Sequence, residues 1–285
     1  MTAVITDPGP APLMGGRRPR RVLVSTLTPA ATLSLGVAVT WFSLLVLIPL
    51  AALVVTATGG GWGQYLDTLS NAQTWAAIRL TVGQSLLVTL VNAVMGTVIA
   101  WVLVRDRFWG KRVLDVVIDI PFALPTIVAG LVLLSLYGPK SPIGLDWANT
   151  RNAVTLALAF VTLPFVVRTV QPVLEELDHD VEEAAASLGA QRLTIVRRLI
   201  LPSLAPAIAA GAGLAFARAI AEYGSLVLLS GNLPYRTEVV SVRVLSFVEG
   251  GNPAAAASLA TVMLAVALIV IVGLDVLQRR VARRG

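Results

Sequence analysis

The sequence of 285 residues has no cysteine, one histidine and only 13% charged residues. The lack of cysteine excludes disulfides, thiol catalysis and cysteine-ligated metals. The single histidine, His179, leaves almost nothing from which to build a histidine-based metal centre. The sequence also lacks a G-x4-G-K-[ST] motif, because the glycine-rich segment 59–63 has no lysine and does not open a helix. Any ATP must therefore be bound by another chain.

Hydrophobic residues make up 56% of the sequence, which is too many for a soluble protein. We therefore predict an all-α integral membrane protein whose surroundings are the lipid bilayer. The net charge is +6, but the basic residues lie in small groups between apolar segments and form no single patch. This distribution argues against nucleic acid as a partner.

The apolar segments predict six membrane-spanning helices. Residues 1–21, rich in proline and glycine, are predicted to form a disordered cytoplasmic tail. The apolar stretch behind them is much longer than the roughly 7–15 residues of a signal-peptide core, so we interpret it as a retained first span. Five of the spans are placed at about residues 33–56, 80–104, 152–167, 202–223 and 253–274. The third span follows the charged loop 105–112 and ends at about residue 137.

Lysine and arginine are distributed unequally between the two sides of these six spans. Sixteen of the 22 lie in the two tails, the loop 105–112 and the region around the loop between spans four and five, and five lie on the opposite side. The positive-inside rule then places both termini and that loop in the cytoplasm.

The loop between spans four and five is polar in an otherwise apolar chain. Asp180 and Glu183 have capping-box spacing, which predicts a helix beginning near Val181. Acidic residues such as Glu182 suit the start of a helix, and Gly189 supplies its left-handed end. A second short helix is predicted over 191–200, before the next span opens at Pro202. Such a helix pair is either a plain capped surface or a docking surface for another protein.

This loop resembles the EAA loop of ABC importer permeases. The spacing E-A-A-x3-G-x9-I-x-L-P matches residues 183–202, with Leu199 in place of isoleucine. Three further segments, 119–126, 164–177 and 218–224, resemble the T-type permease subunit of sulfate/thiosulfate importers. The resemblance covers roughly residues 22–280.

The resemblance implies a type I ABC importer permease fold with six transmembrane helices. It divides the chain into the tail 1–21, a first helix and external loop at 22–77, a permease core at 78–276 and a basic cytoplasmic tail at 277–285. Within the core it makes 172–202 the coupling loop that docks on an ATPase. The residues implied in coupling are Asp180, Glu182, Glu183, Ala184, Ala185, Gly189, Leu201 and Pro202.

The implied function is ATP-driven import of sulfate or thiosulfate across the bacterial inner membrane by alternating access. The implied partners are a second, W-type permease subunit, two copies of a cytoplasmic ATP-binding subunit and an extracytoplasmic sulfate-binding protein. ATP and magnesium would be bound by the ATPase, so this chain would carry no cofactor and no catalytic residue.

Two features are candidates for the anion path or its gate. Pro121 and Pro125 predict a kinked or broken third span, which either lines a cavity or only packs. Arg218 and Glu222 are four residues apart, and so are predicted to share a helix face within span five. We favour a structural salt bridge for this pair, since a dianion held tightly in the path would be released slowly. The family segment R-x-x-G-E-F-G differs here, with Ala221 and Tyr223.

Three other functions fit the sequence less well than sulfate import. A molybdate or tungstate importer permease shares the EAA loop, but the match over 164–177 favours sulfate. A secondary anion transporter would be expected to show an internal repeat, which the sequence lacks. A membrane enzyme is disfavoured, because the sequence has no cysteine, one histidine and no paired acids inside a span.

Overall fold

The computed structural model describes residues 29–282, and the regular structure in that range is helical. The chain divides into two compact units, 1–49 and 50–285. The helices α1 (Pro29–Phe42) and α2 (Ile48–Thr58) are joined by a π-helical turn at Ser43–Leu47. Together they give an apolar stretch at Ala30–Thr58 that is long enough to cross a membrane, which confirms the first predicted span. The predicted tail 1–21 lies outside the described residues.

The remaining helices belong to the second unit. In chain order they are α3 (Gly61–Ser70), α4 (Ala72–Arg105), α5 (Lys111–Ala123), α6 (Thr126–Tyr137), α7 (Arg151–Glu176), α8 (His179–Ser187), α9 (Arg192–Ile195), a π turn (Val196–Ile200), α10 (Leu201–Ile220), α11 (Gly224–Leu229), α12 (Val240–Glu249) and α13 (Pro253–Ala282). Four stretches are long and apolar enough to span a membrane, namely Ala72–Arg105, Arg151–Glu176, Arg192–Ile220 and Pro253–Val276. The other predicted span is a bent pair of helices.

The second span begins earlier than predicted. Asn71 caps α4, because its side-chain oxygen accepts from the backbone N–H groups of Gln73 and Thr74 at 3.0 and 3.2 Å. The helix then runs for 34 residues, about 51 Å at 1.5 Å per residue. Most of the predicted external loop, which ends at residue 77, is therefore helical, in α3 and the first turns of α4.

The third span is broken, as the two prolines predicted. The helices α5 and α6 meet at an angle of 118°, and they contain 13 and 12 residues. Leu124 adopts an extended conformation because it precedes Pro125, and a proline ring disfavours the helical conformation in the residue before it. A single crossing helix needs about 20 residues, so neither helix crosses alone.

At one end of the bundle, the loops beside α4 and α7 come together. Arg105, the last residue of α4, contacts His179 at the start of α8. Arg168 in the second half of α7 binds Asp115 on α5. The segments 106–110 and 177–191 therefore lie at the same end of the bundle.

The remaining loops of this unit lie at the opposite end of the bundle. The Nε2 of Gln73 in α4 donates to Glu238 at 2.7 Å. The backbone N–H of Asn149 donates to the carbonyl of Leu229 at 3.1 Å. The connection between α6 and α7 therefore lies at this end, so α5 and α6 together carry the chain from one end of the bundle to the other.

The centre of the unit is α7, which packs between α4 and α10. Val166, fully buried on α7, faces a glycine on each neighbour. A Cβ added at Gly96 of α4 would lie 2.8 Å from the Cβ of Val166. A Cβ added at Gly211 of α10 would lie 2.9 Å from the Cα of Val166. Small residues at these two positions let three helices approach closely, as membrane bundles require.

Three other parts of the predicted layout were wrong. The fourth span was placed at 152–167, but α7 continues to Glu176. The charge of Arg168 does not end the helix, because its side chain forms ion pairs with Asp115 and Asp119. The segment 224–252, between the fifth and sixth predicted spans, contains two helices, α11 and α12. The sixth span was placed at 253–274, and α13 continues to Ala282 through most of the predicted basic tail. The division of the chain into domains stays a prediction.

Candidate functional site

The polar helix α8 begins two residues earlier than predicted. Asp178 is its cap, since a side-chain oxygen of Asp178 accepts from the backbone N–H of Asp180 at 2.9 Å. The predicted capping box of Asp180 with Glu183 was wrong, because Asp178 already occupies the extended cap position and Asp180 lies inside the first turn. Asp180 and Glu182 remain in the first turn, where the helix dipole favours acidic side chains.

The end of α8 is a Schellman motif built on Gly189. The N–H of Gly189 donates to the carbonyl of Ala186 at 2.9 Å, and the N–H of Ala190 donates to that of Ala185 at 3.1 Å. Gly189 has a φ of +87°, in the left-handed region. The predicted glycine stop is confirmed. Through it the chain turns sharply from α8 into α9.

The surface of α8 is largely free of contacts with the rest of the described chain. No residue of the helix is buried, and Glu183 and Ala184 are exposed while Ala185 is half-buried. Beside it, Leu188 is 90% exposed and Leu193 is 64% exposed. An exposed apolar surface rimmed by acidic side chains is the kind of surface that another protein covers.

One side chain from the membrane region holds α8 in place. The guanidinium of Arg105, at the end of α4, forms an ion pair with Glu182 and contacts the ring nitrogens of His179. Its side chain is only 10% exposed, and it lies 5.7 Å from the ring centre of Trp101. No local sequence pattern predicts this pair, because Arg105 is 77 residues from Glu182.

Leu201 and Pro202 lie inside a continuous helix. The prediction of a separate helix over 191–200 was wrong, since helical structure runs from Arg192 to Ile220. Pro202 has no N–H and its ring crowds the preceding turn. A π turn at Val196–Ile200 precedes it, in which the N–H of Leu201 reaches back five residues to Val196. The loosened turn lets the helix continue past the proline.

The broken span is tied to α7 by one arginine. The Nε and Nη2 atoms of Arg168 donate to the two carboxylate oxygens of Asp119 at 2.8 and 2.7 Å, and Nη1 donates to Asp115 at 2.7 Å. A bidentate pair of this kind fixes direction as well as distance. Pro121 is half-buried and Pro125 is exposed on either side of the break. Whether these prolines border the anion path stays a prediction.

The second half of the broken span packs backbone to backbone on α11. A Cβ added at Gly130 of α6 would lie 2.8 Å from the Cα of Ser225, and one added at Gly224 would lie 2.8 Å from the N of Ile127. These contacts make α6 and α11 one closely packed pair.

The Arg218 and Glu222 side chains pair across the end of a helix. The Nη1 of Arg218 lies 2.7 Å from an oxygen of Glu222, in an ion pair without hydrogen-bond geometry. The prediction that both share a helix face was wrong, because α10 ends at Ile220 and Glu222 lies in the following turn. The other oxygen of Glu222 accepts from the N–H and hydroxyl of Ser225 at 2.8 and 2.7 Å. The side chain of Glu222 is 1% exposed and that of Arg218 is 28% exposed.

The family follows from comparison with known proteins. The family model described as "Binding-protein-dependent transport system inner membrane component" matches residues 92–284. The chain belongs to this family. It is a multi-pass ABC importer permease, and the matched region includes the broken span, α8 and the Arg218–Glu222 pair.

Relatives of this permease match over nearly its whole length. It is 41% identical over 272 residues to the "Sulfate transport system permease protein CysT" of Salmonella typhimurium, covering 93% of this chain and 96% of the relative. It is 40% identical over 273 residues to the protein of the same name from Escherichia coli, with the same coverage of both chains.

A solved structure shares the fold. A bacterial alginate ABC transporter, in complex with an alginate pentasaccharide-bound periplasmic protein, has a TM-score of 0.75 to this permease at 17% identity. The match covers 88% of this chain and 94% of the other. At that identity the likeness shows the fold alone.

Within the described residues of the permease, no group of three His, Asp or Glu side chains could hold a metal ion.

Proposed function

We propose that this chain is the T-type permease subunit of a sulfate/thiosulfate importer and forms one half of its translocation pathway. The observation that carries the proposal is the 40–41% identity, over 93% of the chain, to permeases named for sulfate transport. Those names favour sulfate over the molybdate alternative. A secondary anion transporter would leave the exposed surface of α8 without a role.

Coupling to ATP hydrolysis is proposed to occur through α8. Its acidic first turn and its alanines, Ala184 and Ala185, would enter a groove on the ATPase, with exposed Leu188 at the rim. Each of two ATPase copies would serve one permease, and ATP and magnesium would be bound there. This chain would therefore transmit force and perform no bond chemistry.

Movement of α8 can reach the membrane helices by two routes. Arg105 links Glu182 to the end of α4, and the Gly189 turn links α8 to the continuous helix of α9 and α10. Both α4 and α10 pack on α7. A displacement of α8 would therefore move these helices together, as rocking between inward-open and outward-open states requires.

The other proposed partners complete the pathway. A second permease of W type would supply the other half, since one chain of this size forms half of an importer pore. An extracytoplasmic sulfate-binding protein would deliver the anion at the end of the bundle opposite α8. The alginate transporter is complexed with a periplasmic protein, which supports this arrangement.

The Arg218–Glu222 pair is proposed to be structural. Its carboxylate is buried, accepts two hydrogen bonds from Ser225 and forms an ion pair with Arg218, so it fixes the turn between α10 and α11. A group so enclosed has little surface to offer a passing anion.

The substrate is tested with the reconstituted four-part complex in vesicles. Sulfate and thiosulfate, presented with the binding protein, are expected to stimulate ATP hydrolysis and to accumulate inside the vesicles. Molybdate at the same concentration is the matched comparison and should do neither. Stimulation by molybdate alone would replace the proposal with the molybdate importer.

The orientation is tested by single cysteines in this cysteine-free chain. We expect Trp109→Cys and Leu188→Cys to be protected from an impermeant thiol reagent in intact cells, and Leu145→Cys and Pro234→Cys to react. All four side chains are exposed, so a difference in labelling reports the side of the membrane. Reaction of Leu188→Cys from outside would contradict the cytoplasmic position of α8.

A further inference from the structure

A polar cavity of about 300 Å³ lies where α4, the start of α7 and the loop before α12 meet. Its polar lining consists of Arg79 and Gln84 on α4, Arg151 at the first turn of α7, and Tyr235 on the loop. None of the lining residues is an aspartate or a glutamate. The cavity is at the end of the bundle opposite α8.

The lining presents hydrogen-bond donors. The Nε of Arg151 donates to the carbonyl of Arg236 at 3.3 Å, and neither terminal nitrogen has a hydrogen-bond partner among the described residues. The Oε1 of Gln84 accepts from Thr155 at 2.6 Å, so its amide nitrogen remains to donate. Arg79 has no ion pair with any residue of the described range. Such a set of donors suits an anion.

The buried Glu238, at the same end of the bundle, forms no ion pair with Arg79 or Arg151. The carboxylate of Glu238 accepts from Gln73 at 2.7 Å and lies 3.9 Å from Arg243. Its residue is 6% exposed, so the carboxylate is turned into the protein. The cavity lining therefore carries two positive charges and no negative one, and the exposed Arg236 lies next to Tyr235 of that lining.

The position of Arg79 places the cavity at the edge of the membrane. Arg79 is followed by 25 consecutive uncharged residues, Leu80 to Val104, which form the apolar part of α4. The hollow beside it exists because small residues, Ala76 and Gly83, lie about one turn before and after it. A Cβ added at Gly83 would meet no atom within 4 Å.

We propose that this cavity binds a small tetrahedral oxyanion, and that it receives the anion outside the membrane before translocation. The inference deepens the proposed function and rests on it for the identity of the anion as sulfate or thiosulfate. A recess with two guanidinium groups and an amide offers enough donors for the four acceptor oxygens of sulfate. Both arginines are open to water, so binding is weak and release is fast.

Binding is measured on the assembled complex in nanodiscs without the binding protein, using radiolabelled sulfate. We expect saturable sulfate binding that falls at least fivefold in Arg79→Ala and in Arg151→Ala. Gly83→Leu should fill the hollow and lower binding similarly while keeping both charges. The matched control is Lys140→Ala, which removes a positive charge from an exposed loop at the same end and does not line the cavity. Its binding should stay within twofold of the unaltered complex.

The outcomes separate this proposal from the proposed function. If the complex imports only molybdate, yet molybdate binding depends on Arg79 and Arg151, the cavity proposal stands and the sulfate assignment fails. If the unaltered complex binds no oxyanion, the cavity proposal is overturned. It is equally overturned if the arginine variants bind sulfate normally but no longer retain the binding protein, because the cavity would then dock an acidic protein surface.

Discussion

Replacing Arg218 by alanine is expected to remove most of the folded permease from the membrane. The substitution leaves the carboxylate of Glu222 charged, 1% exposed and held only by Ser225. Stranding a buried charge in this way costs about 3–5 kcal/mol. The amount of complex that elutes as a single species after detergent extraction measures the loss.

Glu222→Ala and the double variant are expected to lose less folded permease than Arg218→Ala. Glu222→Ala leaves Arg218, which is 28% exposed and can turn toward water. It does remove the acceptor for the buried N–H of Ser225, at a cost of about 1–3 kcal/mol. The double variant strands no charge, so its yield should match that of Glu222→Ala and exceed that of Arg218→Ala.

A different pattern would show that the pair belongs to the anion route. In that case Arg218→Ala would assemble in normal amounts and fail to transport, and adding Glu222→Ala would not restore uptake. The comparison of assembly with uptake therefore separates a structural role from a role in the path.

Gly189→Val is expected to abolish most uptake while leaving membrane insertion intact. Gly189 has a φ of +87°, which costs a residue with a side chain about 1–2 kcal/mol and a β-branched residue more. The added Cβ itself would meet no atom within 4 Å, so the strain is confined to the backbone. The Schellman turn would open and α8 would point away from its docking direction. Uptake and co-purification of the ATPase are the two measurements.

Gly189→Asn is the matched control. Asparagine also changes size and polarity, but it tolerates the left-handed conformation. Uptake by this variant should stay near that of the unaltered permease. Normal uptake and normal ATPase retention by Gly189→Val would show that the turn does not set the direction of α8.

Local chemistry predicted the parts of the fold that depend on neighbouring residues. Five spans follow from apolar length, because about 20 such residues are needed to cross a bilayer. The break in the third span follows from Pro121 and Pro125, and the end of α8 follows from Gly189. Each of these features is decided within a few residues of the chain.

The capping residue of α8 shows where local reasoning is insufficient. Asp178 and Asp180 have the same cap chemistry and lie two residues apart, so the sequence does not rank them. The choice depends on where α7 ends, and Leu177 is already extended in the structure. Similarly, the end of α10 at Ile220 has no proline or glycine signal before Gly224.

Ion pairs between residues far apart in the chain could not be predicted from the sequence. Arg168 and Asp119 are 49 residues apart, and Arg105 and Glu182 are 77 apart. In the sequence these arginines appeared only as positive charges that set orientation. Their partners are selected by the packing of α4, α5 and α7, which no local pattern encodes.

The π turn before Pro202 changes how the segment after it must be numbered on a helical wheel. A π turn contains one residue more than a regular turn, and one residue corresponds to a rotation of about 100°. A wheel drawn from Arg192 with a regular period therefore assigns the residues of α10 to the wrong face. Faces on either side of Val196–Ile200 have to be plotted separately. The extra residue also sets the azimuth at which the small residues of α10, such as Gly211, meet α7.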